Sequence, residues 1–149
     1  MSQENRKSYM GHCHCGEVRF NCVLAPPLQP LPSDPSKQLL VYRCDCSICI
    51  RNGYLLGYCL KEDFNITHGE SKIGRYAYGR KTTPHLFCTN CGSSLAIDQT
   101  GRLNDDGTRQ LAINVRMLRD VDLNKVEYED FDDGATTGPK YEFADSPPK

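Results

Sequence analysis

Apolar and polar positions alternate with a period of two along much of the chain. Val18, Phe20, Cys22 and Leu24 interleave with Glu17, Arg19, Asn21 and Val23, mostly the pattern that lays one face of a strand on a core. Short runs rich in aliphatic and aromatic residues follow at 39–42, 54–60, 71–78, 86–87, 95–97 and 111–115, with Ile66 between the second and third. They are separated by His68-Gly69, Gly79, Pro84 and a turn at Asp105-Asp106-Gly107, which implies a hairpin before the run at 111–115. No helical period persists over three turns, although residues 117–123 would accommodate one turn. The pattern therefore predicts an all-β fold of small antiparallel sheets with little or no helix.

Residues 25–36 hold five prolines, Pro26, Pro27, Pro30, Pro32 and Pro35, so neither strand nor helix can run through them. A surface loop without catalytic weight is expected there. Residues 1–8 read as a polar lead, 9–133 as one domain and 134–149 as a poorly ordered tail of proline, glycine and charge. At 149 residues one core is expected, and metal or covalent cross-links would add much to its stability.

Charge narrows the partners. The net charge is −1 with 25% charged residues, and no basic arm or stripe marks a nucleic-acid surface, so no nucleic acid is expected as a partner. No apolar stretch has the length of a signal core or a bilayer span, so no membrane association is expected. The expected location is the cytoplasm, with the nucleus as an additional one.

Nine cysteines change the picture most. The number is odd, and thiols this closely spaced in a reducing compartment are more often metal ligands than disulfides. Cys13 and Cys15 form one knuckle and Cys88 and Cys91 another, and together they supply the four thiolates of a closed, structural zinc site. Cys44, Cys46 and Cys49 fall within six residues, between two predicted strands. Three ligands are what a working zinc site uses when its fourth position is left to water or substrate. His12, His14, His68 or His85 would close that site if one of them reached it. A redox dithiol is the weaker reading, because its Cys-x-x-Cys belongs at a helix start within a βαβ unit. Cys22 and Cys59 stand alone in strand-like runs and are expected to be small buried hydrophobes.

The order Cys13-x-Cys15, Cys44-x-Cys46-x-x-Cys49 and Phe87-Cys88-x-x-Cys91-Gly92 resembles the glutathione-dependent formaldehyde-activating enzyme family, which includes centromere protein V. Tyr76-x-Tyr78-Gly79, His85-x-Phe87 and Asn114-Val115-Arg116-x-Leu118 resemble family segments too, so the likeness covers residues 9–133. It implies a β-tent of two or three small antiparallel sheets carrying two zinc ions per chain. One ion is expected on Cys13, Cys15, Cys88 and Cys91, and the other, at the catalytic position, on Cys44, Cys46 and Cys49.

The resemblance further implies a carbon-sulfur lyase of the S-hydroxymethylglutathione synthase type, with glutathione and formaldehyde or a similar aldehyde as small-molecule partners. A coordinated thiol is deprotonated at neutral pH and so made nucleophilic. Three thiolates leave the zinc site at a net −1, a charge that Arg43 or Arg51 would offset. Two alternatives remain at this level: a zinc protein that binds glutathione or another thiol without catalysis, and a zinc-stabilised adaptor domain.

Overall fold

The computed structural model describes residues 5–79 and 81–132, so the predicted tail lies outside the described residues. The described residues form ten strands: β1 (Lys7–His12), β2 (Arg19–Leu24), β3 (Leu40–Cys44), β4 (Leu56–Leu60), β5 (Phe64–His68), β6 (Ile73–Tyr76), β7 (His85–Cys88), β8 (Ser94–Asp98), β9 (Gln110–Asn114) and β10 (Glu127–Phe131). One six-residue helix, α1 (Ser47–Asn52), and three single 3-10 turns complete the described elements. The all-β expectation is borne out.

The strands make two sheets, one of three in the order β1-β2-β5 and one of seven in the order β10-β3-β4-β9-β8-β7-β6. The larger sheet is wider than the small sheets expected. It also carries one parallel pair, β10 on β3, which no hairpin can supply. The main core lies between the sheets. Val18, Phe20, Cys22 and Leu24 are each no more than 1% exposed, as their alternation predicts, and they pack with Leu95, Ile113 and Val115. Phe20 meets Phe64 of β5 with ring centroids 5.4 Å apart.

Four local expectations change. Strand β1 begins at Lys7, inside the stretch read as a polar lead, because Tyr9 and Gly11 point inward and need only every second position. The proline-rich loop is anchored rather than merely superficial: Leu28 is wholly buried, and its amide donates to the Tyr9 hydroxyl at 2.9 Å. The helical turn expected at 117–123 falls instead at Val115–Met117, where the Asn114 side chain accepts from the Arg116 amide. The stretch at 71–78 opens with a 3-10 turn, Glu70–Lys72, before β6.

Two glycines explain how the edges of these sheets pack. Gly11 in β1 faces Phe20 and Gly74 in β6 faces Phe87, each directly across the strand pair. The phenyl ring lies over the bare backbone in both, the device by which an aromatic covers an edge glycine. A methyl at Gly11 would sit 2.2 Å from the buried Phe20 ring. Gly11→Ala is therefore expected to destabilise the protein by about 1–3 kcal/mol, the usual cost of overpacking, measured as a lower denaturant midpoint.

Candidate metal centres and the adjoining cleft

The first cysteine cluster forms where β1 ends and β7 ends. Each knuckle turns through a glycine with positive φ, Gly16 at 79° and Gly92 at 80°, immediately after its second cysteine. The turns aim backbone amides at sulfur, Val18 N–H to Cys13 Sγ at 3.3 Å and Cys91 N–H to Cys88 Sγ at 3.5 Å. Ser93 joins the two knuckles, accepting from the His14 amide at 3.0 Å and lying 3.2 Å from Cys91 Sγ. Cys13 and Cys88 are fully buried, while Cys15 is exposed.

All four sulfurs of Cys13, Cys15, Cys88 and Cys91 lie within 4.8 Å of one another. The Cys13–Cys15 and Cys15–Cys88 separations are 3.5 and 3.7 Å. Metal–sulfur bonds of about 2.3 Å in a tetrahedron require sulfurs about 3.8 Å apart, so these residues fit a four-thiolate ion. The cluster ties the three-stranded sheet to the far half of the seven-stranded one, a separation of 73 residues between Cys15 and Cys88.

The second cluster differs from its expected setting. Cys44 ends β3, Cys46 is the N-cap of α1, and Cys49 lies inside the helix, so the triad is not a loop between strands. The helical turn was not legible because six residues are too few to display a period. Gly53, at φ 60°, ends the helix and donates its amide to the Cys49 carbonyl. The Asp45 amide donates to the Phe131 carbonyl at 3.2 Å, which fixes the loop to β10.

The sulfurs of Cys44, Cys46 and Cys49 also lie within 4.8 Å of one another. Among the described residues no histidine, aspartate, glutamate or further cysteine joins them. Three of the four histidine rings are hydrogen-bonded elsewhere, His12 to the Cys13 carbonyl, His68 to Thr67 and His85 to Tyr54, while His14 bonds Ser93 through its backbone amide. Both clusters thus present donor sets able to hold a metal ion, one with four sulfurs and one with three.

The thiols report how crowded each set is. The Cys46 thiol is pulled down to about 5, chiefly because Cys49 donates to it, whereas the same bond and burial push Cys49 up. Three close thiols cannot all ionise unless a cation compensates them. In the other cluster the Ser93 hydroxyl lowers Cys91 to about 5, while burial raises Cys13 to about 11. Cys22 and Cys59 are 1% and 5% exposed, as expected of small hydrophobes, and burial pushes the Cys22 thiol up to about 12.

A cleft of about 770 Å³ runs along α1, within the size range of small-molecule sites. Ser47 and Arg51 of the helix form one side, and Tyr54, Tyr76, Tyr78 and His85 form much of the rest. Tyr76 and Tyr78 are stacked, with centroids 6.1 Å apart. Cys46 and Cys49 share a buried cluster with Tyr54, behind the residues that line the cleft. The phenols of both Tyr54 and Tyr78 are raised by burial and, in addition, by the negative charge of the triad.

Of the two arginines considered beside the triad, Arg43 is committed elsewhere. Its guanidinium pairs with both carboxylate oxygens of Asp130, at 2.7 and 3.2 Å, and covers the Tyr128 ring. Arg51 lines the cleft, held by a bond from Nη1 to the Ser47 carbonyl at 2.8 Å. Sequence reasoning missed Tyr54 altogether and weighed His85 only as a fourth ligand. A histidine in the otherwise apolar run His85-Leu86-Phe87-Cys88 was the signal available.

Comparison with known proteins bears on this arrangement. Residues 8–131 match the family described as glutathione-dependent formaldehyde-activating enzyme. A protein of Halomonas elongata, whose name assigns it provisionally to that activity, is 33% identical over 93 residues, 57% of this chain and 52% of its own length. The chain thus spans about half the length of that relative. A Rhodobacter sphaeroides protein of known crystal structure superposes with a TM-score of 0.59, covering 80% of this chain and 99% of that one at 24% identity, a likeness of fold. With the family match covering both cysteine clusters, the chain belongs to the glutathione-dependent formaldehyde-activating enzyme family.

Proposed function

We propose that the protein is a zinc-dependent carbon-sulfur lyase-type enzyme that adds the thiol of glutathione to formaldehyde or a similar aldehyde in the cytoplasm. One observation carries the reading: the triad offers three sulfurs and, among the described residues, no fourth donor. Cys44, Cys46 and Cys49 would hold the catalytic zinc, and Cys13, Cys15, Cys88 and Cys91 the structural one. When bound at the triad, zinc would supply a Lewis acid under which an incoming thiol loses its proton at neutral pH.

The chain's own residues support the rest. Among the described residues Arg51 is the cation of the cleft wall, and it suits a carboxylate of a peptide thiol, which a planar, permanently charged donor can pair with. Tyr54, Tyr76 and Tyr78 give the cleft aromatic faces on which the apolar parts of a substrate can rest. The cleft is broad enough for a tripeptide and closes on the helix that carries Cys49.

Metal analysis of the purified protein is expected to return two zinc ions per chain. Magnetization-exchange NMR of glutathione and formaldehyde is expected to show faster interconversion with S-hydroxymethylglutathione when the protein is added. A rate equal to background, combined with saturable glutathione binding, would replace the enzyme by a thiol-binding protein. Arg51→Ala is expected to raise KM for glutathione about tenfold with kcat little changed, the mark of a contact made equally in ground and transition states. An unchanged KM would remove Arg51 from the site.

A further inference from the structure

His85 is the feature of the cleft that the thiol chemistry above leaves without a task. It is 6% exposed and, with Asn114, one of two buried polar side chains among the described residues. Its Nδ1 lies 3.0 Å from the Tyr54 hydroxyl. Its ring leans on Tyr54 and Tyr78, with centroids 5.8 and 6.1 Å away. The other ring nitrogen, Nε2, has no hydrogen-bond partner among the described residues. His85 is itself one of the residues that line the cleft.

The Tyr54–His85 bond is compatible with either tautomer of the ring. With Tyr54 O–H as the donor to Nδ1, a neutral imidazole carries its proton on Nε2, the nitrogen that the fold leaves unused. Burial keeps the ring neutral, with its pKa pushed down to about 4. In that tautomer His85 brings one N–H donor to the cleft beside the triad.

We infer that His85 is a catalytic residue whose Nε2–H donates a hydrogen bond to the aldehyde-derived oxygen, with Tyr54 as the positioning residue that holds the required tautomer. The inference rests on the function proposed above and assigns it a group for the oxygen, which the thiol site alone lacks. As the sulfur–carbon bond forms, the carbonyl π bond breaks and its electron pair moves to oxygen. The proton that completes the hydroxyl comes from solvent, to which the thiol has released one. His85 gives up no proton in this step. A preorganised neutral donor of this kind stabilises the charge as it develops and needs no reorganisation.

The test joins activity to a reading independent of it. In ¹⁵N NMR of the metal-loaded wild type at neutral pH, His85 is expected to appear as the neutral Nε2–H tautomer. In Tyr54→Phe it should lose that preference. His85→Phe, which keeps ring and burial, is expected to lower kcat for S-hydroxymethylglutathione exchange about 10²- to 10³-fold, the usual effect of deleting one such donor. Metal content and glutathione affinity should not change. His85→Gln, which restores a neutral donor near Nε2, should recover most of the loss.

A proton on Nδ1 in the wild type overturns the assignment even if His85→Phe does not fold. Wild-type acceleration that survives intact in His85→Phe overturns it while leaving the proposed function standing. No acceleration by the wild type removes the function and this assignment together.

Discussion

Cys15→Ser and Cys88→Ser are each expected to leave the chain unfolded, or with a denaturant midpoint near zero, and without the metal of the four-sulfur cluster. That cluster joins a knuckle after β1 to one after β7, across 73 residues from Cys15 to Cys88, so its ion would clamp the two sheets together. Structural zinc in small domains contributes about 10–16 kcal/mol, which matches or exceeds the whole net stability of an ordinary domain, about 5–15 kcal/mol. Cys88 is also fully buried, so its loss disturbs packing as well. Cys15 is exposed, and a serine there creates no cavity. Unfolding of Cys15→Ser by circular dichroism would therefore report the metal alone, and a wild-type midpoint for it would remove the clamp.

The second large effect falls on activity instead. Cys46→Ser is expected to retain the wild-type circular dichroism spectrum and lie within about 2 kcal/mol of wild-type stability, in the range of ordinary substitutions. It should hold one metal ion rather than two and show only the uncatalysed rate of exchange. Cys44, Cys46 and Cys49 are neighbours in the chain, so an ion there closes only a short loop and removes little unfolded-state entropy. The smaller core cluster around them, Tyr54, Leu56, Ile97 and Ala112, is apolar without any metal. If Cys46→Ser unfolds as Cys15→Ser does, the triad is a second structural centre and the proposed chemistry falls.

Both predictions stand on cysteines that were visible in the sequence, and the reason is the spacing of ligands. A knuckle of two or three thiols must place its sulfurs within one turn of backbone, so Cys13-x-Cys15, Cys44-x-Cys46-x-x-Cys49 and Cys88-x-x-Cys91 announce themselves locally. Strand β2 was equally plain, since one buried face forces alternation. Strand β10 was not, because Glu127-Tyr128-Glu129-Asp130-Phe131 is a mostly exposed edge held by backbone bonds to β3 and by the Arg43–Asp130 pair. An edge strand with little buried surface leaves little trace in hydropathy. Helix α1 escaped for a different reason: its six residues gain their order from Gly53 and from packing around Cys49, not from propensity.

By itself the sequence determined the all-β class, the buried face of β2 and the three cysteine knuckles, each of which depends on residues close together in the chain. Only the tertiary structure decided that no histidine among the described residues completes the set of three. It alone brought Arg51, Tyr54, Tyr78 and His85 to one cleft beside that set. The physical reason is range: periodicity and ligand spacing are local, whereas the cleft is lined by residues of α1 and β7 and by Tyr54 and His85, which bond across 31 residues of chain through sheet pairing that no short window records.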